Sequence, residues 1–121
     1  MIEIYVKDMR FPLLLDAYGV LLTERKRELL DYYYNEDCSL SEISELTGLT
    51  RQGVRDGIRK AEEELRTYEE KLGFVRFSEA VADVAASLAS LADRSPDPSA
   101  DALREAAAKL AALRPADPDK E

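Results

Sequence analysis

The stretch SLSEISELTGLTRQGVRDGIRKAEEELRTYEEKL, residues 39–72, decides the fold. Leu40, Ile43 and Leu46 recur at helical spacing, and Ser39 or Ser41 can cap the start of that short helix. Gly48 falls where a left-handed residue is needed to end a helix, a region glycine enters at little cost because it has no Cβ. Thr50 follows as the N-cap of a longer helix. A short helix, a glycine turn and a long helix make a helix-turn-helix, the motif that in DNA-binding proteins places its second helix in the major groove.

That second helix carries the chemistry. Val54, Ile58, Ala61, Leu65, Tyr68 and Leu72 alternate by four and three residues, one apolar seam of period seven. Arg51, Gln52, Arg55 and Arg59 sit on one flank of the first turns, with Lys60 round the other side. Over residues 50–60, four cations against Asp56 alone leave +3; over residues 62–70, five carboxylates against Arg66 leave −4. The basic N-terminal half can approach phosphates, and base edges are read from the N-terminal residues of a recognition helix. Thr50, Arg51, Gln52, Arg55, Arg59 and Lys60 are therefore the candidate nucleic-acid-binding residues. The plainer alternative is a solvated face in which Arg59 pairs with Glu62 or Glu63 at little energetic consequence. Helix-turn-helix units also serve as protein-binding modules.

Composition narrows the choice. A chain of 121 residues supports one modest core, and 45% hydrophobic with 35% charged residues describes a soluble, mostly helical protein. No apolar run approaches a membrane span and no leader pattern opens the chain, so a cytoplasmic location without membrane insertion is expected. Histidine is absent, which removes the commonest general base and metal ligand, and there is no phosphate-cradling glycine loop. The single Cys38 lies beside Asp37 and reads as a small, inert, partly buried thiol. Neither an enzyme nor a metal or organic cofactor is expected. The net charge of −8 opposes general affinity for nucleic acid, so any contact with DNA or RNA must be local.

Working outward, a helix is expected from near Pro12, with Phe11, Leu14, Leu15, Tyr18, Leu21 and Leu22 on its apolar face and Gly19 weakening its end. Thr23 caps a second helix, TERKRELLDYYYN, with Leu29, Leu30 and Tyr33 inward. Its basic opening, Arg25 to Arg27, runs against the helix dipole and reads either as a solvated cluster or as a site for an anionic partner. Beyond Gly73 the composition turns to alanine. Residues 78–93 place Val81, Val84, Ala85, Leu88 and Leu91 in a stripe, the prolines of RSPDPS break the helix, and residues 100–113 align Leu103, Ala106, Ala107 and Leu110. Such thin stripes are marginal alone. Together with the seam running out through Leu65, Tyr68 and Leu72, they lead to the expectation of a homodimer.

Residues 11–72 resemble the YlxM family of small bacterial helix-turn-helix proteins. The residues that carry the resemblance are the LLTERKR block at Leu21 to Arg27, DYYYNEDCSLSEISE at Asp31 to Glu45, TRQGVRDGIRKAEEEL at Thr50 to Leu65 and the closing TYEEKL. The resemblance implies an all-α fold similar to region 4 of bacterial sigma factors. It also implies a regulatory or accessory role in the signal recognition particle pathway, with particle components as partners. Gly53 and Gly57 depart from good helix formers, each at a cost of roughly 1 kcal/mol relative to alanine. The expected organisation is a helix-turn-helix bundle over residues 1–75, an alanine-rich helical extension over 76–114 and a disordered tail over 115–121. Two functions stay open: a regulator that binds DNA or RNA through residues 51–60, and a protein-protein adaptor that binds no nucleic acid.

Overall fold

The structure is a computed structural model that describes residues 7–113; the tail expected over 115–121 lies outside the described residues. Among the described residues six α-helices follow one another: α1 (Arg10–Tyr18), α2 (Glu24–Leu30), α3 (Leu40–Thr47), α4 (Arg51–Leu72), α5 (Phe74–Asp93) and α6 (Ala100–Ala111). No strand occurs among the described residues. The fold is all-α, as the spacing predicts. The chain divides into two compact units, the first ending at Gly73 and the second starting at Phe74.

In the first unit α4 is the common partner, packed against α1, α2 and α3. Its seam explains why: Val54, Ile58, Ala61 and Leu65 are all buried, and they meet Phe11, Leu14, Leu15 and Tyr18 of α1, Leu29 and Leu30 of α2, and Ile43 of α3 in one core. The seam does not run on into an open interface. Leu65 is fully inside, the Tyr68 ring lies tilted against Tyr18 with centroids 6.0 Å apart, and only Leu72 stands open at 64% exposure. The first helix closes over the lower part of α4 instead.

Local chemistry sets the element ends. Ser39 Oγ accepts the Glu42 N–H while Glu42 Oε1 accepts the Ser39 N–H, each at 3.1 Å, so that two otherwise orphaned donors are satisfied reciprocally at the start of α3. Gly48 ends α3 at φ +77°, and Thr50 Oγ1 caps α4 by accepting the Gly53 N–H at 2.9 Å. Two elements depart from the sequence expectation. Gly19–Leu21 tightens into a 3₁₀ turn, which leaves Leu21 exposed while Leu22 is buried as expected. The helix expected through Asn35 is α-helical only to Leu30 and then widens to a π-turn over Asp31–Asn35, closed by the Glu36 N–H on the Asp31 carbonyl at 3.0 Å. That turn buries Tyr33 and points the Tyr34 hydroxyl at Glu62.

The second unit is a helical hairpin. Gly73, at φ +62°, ends α4 in the left-handed region, and α5 begins at the next residue, four positions before the expected Ser78. α5 and α6 pack along each other, and alanines are buried on both sides: Ala85 and Ala92 on α5, Ala100 and Ala107 on α6. Arg104 fastens the turn by donating to Asp93 Oδ1 at 2.6 Å and to the Ala92 carbonyl at 3.2 Å. Val84 and Leu91, expected inside, are exposed, because α6 takes the alanine side of the helix.

Candidate nucleic-acid interface

The α3–α4 pair presents the basic turns of α4 to solvent. Arg51, Gln52, Arg55, Arg59 and Lys60 are all exposed, while Val54 and Ile58 between them point into the core. Arg51, Arg55 and Arg59 advance by four residues and so share one face. None of these three arginines, nor Lys60, makes a side-chain hydrogen bond or ion pair among the described residues. The pairing of Arg59 with Glu62 or Glu63 is therefore not formed. Gln52 is held by its own helix, donating to Asp56 Oδ1 at 3.0 Å. Thr50 spends its acceptor on the α4 cap and keeps its hydroxyl proton to donate.

Arg51, Gln52 and Arg55 come together with the start of α3. They line a depression of about 220 Å³ whose other wall is Ser39, Leu40 and Ser41. The sequence reading did not assign those three residues to the site. The capping serine of the first helix of the motif was the signal for them, since a helix start carries N–H groups and positive dipole toward an anion. Lys60 lies apart. It lines a second depression with Lys26, Glu63, Glu64, Thr67 and Tyr68, where Lys26 Nζ is paired to Glu64 Oε1 at 3.1 Å. Arg27 lies among Glu24, Glu28, Asp31 and Glu36. Of the basic opening of α2, Lys26 is thus already paired within the same unit.

The acidic half of α4 is less acidic at the surface than its sequence count. Glu62 and Glu69 are only 5% and 7% exposed and face inward. Tyr18 donates its hydroxyl to Glu69 Oε1 at 2.6 Å, and Tyr34 donates to Glu62 Oε2. Burial raises the Glu62 pKa above the ordinary 4.5, opposed by the Tyr34 hydrogen bond and the positive charge of Arg66, with Asp8 adding to the rise and Arg59 opposing it. The native chain then holds a proton that the unfolded chain has already released. Stability contributed by this group accordingly falls as pH rises from 4.5 to the raised value and is level beyond it. Glu62→Gln, with no charge to bury, is expected to lack that fall. Urea midpoints of parent and variant, followed upward from pH 4.5, check this, and parallel curves would count against it.

The Cys38 thiol, half-buried and free, has its pKa raised by burial and then by Glu42, Glu36 and Asp37, against Lys7. That leaves little thiolate for nucleophilic work. Among the described residues no helix is long and apolar enough to cross a membrane.

A capped short helix, a glycine turn and a long helix with an open basic start define a helix-turn-helix protein. Residues 5–100 match the family UPF0122, described as "Putative helix-turn-helix protein, YlxM / p13 like", and the chain belongs to that family. The match runs past the resemblance of residues 11–72 and takes in all of α5. Among relatives, the UPF0122 protein of Caldanaerobacter subterraneus subsp. tengcongensis is 53% identical over 64 residues, covering 53% of this chain and 55% of the relative. That of Symbiobacterium thermophilum is 52% identical over 71 residues, 58% of this chain and 66% of the relative. That of Desulforamulus reducens is 53% identical over 71 residues, covering 58% and 61%. The chain thus spans between about half and two thirds of the length of the curated relatives it matches.

Proposed function

We propose that the protein is a cytoplasmic regulator that binds nucleic acid with the face formed by Arg51, Arg55 and Arg59 and the depression they share with Ser39 and Ser41. The observation that carries this reading is that the three guanidinium groups stand exposed and unpaired on one flank of a helix whose apolar seam is locked into the core. Long side chains that are neither buried nor paired keep their full charge for a phosphate, and guanidinium suits it best because its fork matches two oxygens at once. The resemblance to YlxM proteins makes components of the signal recognition particle, its RNA before its proteins, the first macromolecules to test, with an accessory role in that pathway.

Fluorescence anisotropy against duplex DNA and a structured RNA, repeated at rising salt, tests the reading. Three phosphate contacts on duplex DNA give a slope of log affinity on log salt near −3, that is about −0.9 per contact. Binding with a slope near zero, or no binding to either nucleic acid at low salt, would overturn the proposal. The same surface would then be left to a protein partner, as in an adaptor.

A further inference from the structure

We propose that the outer face of α5 is the contact surface for a second copy of this chain, paired antiparallel about a twofold axis at Val84. Phe77, Val84 and Leu91 are 66%, 55% and 55% exposed and stand seven residues apart, with half-buried Val81 and Leu88 between them. These five positions alternate by four and three, the spacing of a helix-packing seam. Alanines already fill the contact with α6, so the bulky side chains of α5 lie outside the hairpin's own interface. Methyl groups alone bury little area, and the hairpin leaves its larger apolar surface in water. The α4 seam offers no alternative surface, since it is closed over except at Leu72.

Two features select a second copy as the occupant. The first is self-complementarity. Antiparallel pairing about Val84 sets Phe77 against Leu91 of the other copy, and Val84 against Val84. It also sets Val81 against Ser87 and Leu88 against Ala80, a bulky residue against a small one each time. An isologous contact requires such a pattern, because each side chain must fit the site its symmetry mate provides. The second is charge. Two chains of −8 repel each other unless the contact is nearly free of carboxylates. Over residues 77–92 the only charged groups are Glu79 and Asp83, and helical spacing turns both away from the face that Phe77, Val84 and Leu91 share. No carboxylate meets another.

The surface lies on α5 and its test does not depend on nucleic-acid binding. Sedimentation velocity of the full chain at micromolar concentration is expected to show a dimer. Val84→Glu and Val84→Lys, each placing like charges face to face on the axis, are expected to sediment as monomers with unchanged helical circular dichroism. Their equimolar mixture is expected to recover the dimer, a result that requires position 84 to face itself. Should either variant lose helicity, Phe77→Glu and Leu91→Lys give the same reading: each alone loses the dimer and the double variant regains it. A monomeric parent would overturn the proposal and leave the face to a different protein. A dimer untouched by the charged variants would overturn it too, as would monomeric variants whose mixture stays monomeric.

Discussion

Arg55→Ala combined with Arg59→Ala is expected to lower affinity for nucleic acid by roughly 30-fold to 10⁴-fold, taking ~1–3 kcal/mol for each lost contact. The salt slope should fall by about two units at the same time, one for each phosphate released. The effect is large because the chain has little to fall back on: it carries −8, and Lys26 is already paired to Glu64. The fold should be unharmed, since both arginines are exposed and unpaired. Arg66→Ala gives the contrast. Its guanidinium sits 4.8 Å over the Phe11 ring, so the variant should lose stability by about 0.5–1 kcal/mol while binding nucleic acid like the parent. A double variant that binds as tightly as the parent would remove the recognition face from α4.

Gly57→Leu is expected to destabilise the first unit by about 3 kcal/mol or more, at the upper end of overpacking costs. A Cβ at position 57 would lie 2.5 Å from Leu29 Cδ1, and Leu29 is itself 1% exposed, so neither group has room to withdraw. Gly57→Ala should be far milder, because its gain of roughly 1 kcal/mol in helix propensity offsets part of a smaller clash. Leu29→Ala alone should cost ~2–5 kcal/mol through its cavity. Combined with Gly57→Leu it should recover part of both losses, as the new side chain fills the vacated space. Urea unfolding of the four proteins gives the coupling directly. Additive losses, or a Gly57→Leu variant as stable as the parent, would show that α2 does not approach α4 through this gap.

What was legible in the sequence was local. Ser39, Gly48 and Thr50 announce the ends of α3 and α4 because caps and left-handed turns depend on residues a few positions apart. The exposed arginines follow from the same arithmetic, since the seam fixes which flank is left. Glu62 and Glu69 did not yield to it. Their burial depends on Tyr34 and Tyr18, which lie 28 and 51 residues away and arrive only through the packing of the π-turn and α1. Their spacing of seven, flanking the seam, was the one available sign, and solvated carboxylates show the same spacing. The role of Gly57 needed the position of Leu29. In α5, helical period marks an apolar stripe but cannot say that α6 will choose Ala85 and Ala92 rather than Val84 and Leu91.

The two tyrosine–glutamate pairs also act at a distance along α4. At 1.5 Å per residue the helix is about 33 Å long, and Glu69 stands about 27 Å from Arg51 on the same rod. A slip of α4 by one turn would strand both carboxylates in apolar surroundings at several kcal/mol each. Tyr18 and Tyr34 therefore work as a two-point vernier at the far end of a lever, and the arginines are held at the other end to whatever setting it allows. Tyr18→Phe, which touches nothing near Arg51, would loosen that setting without removing a single charge from the basic face.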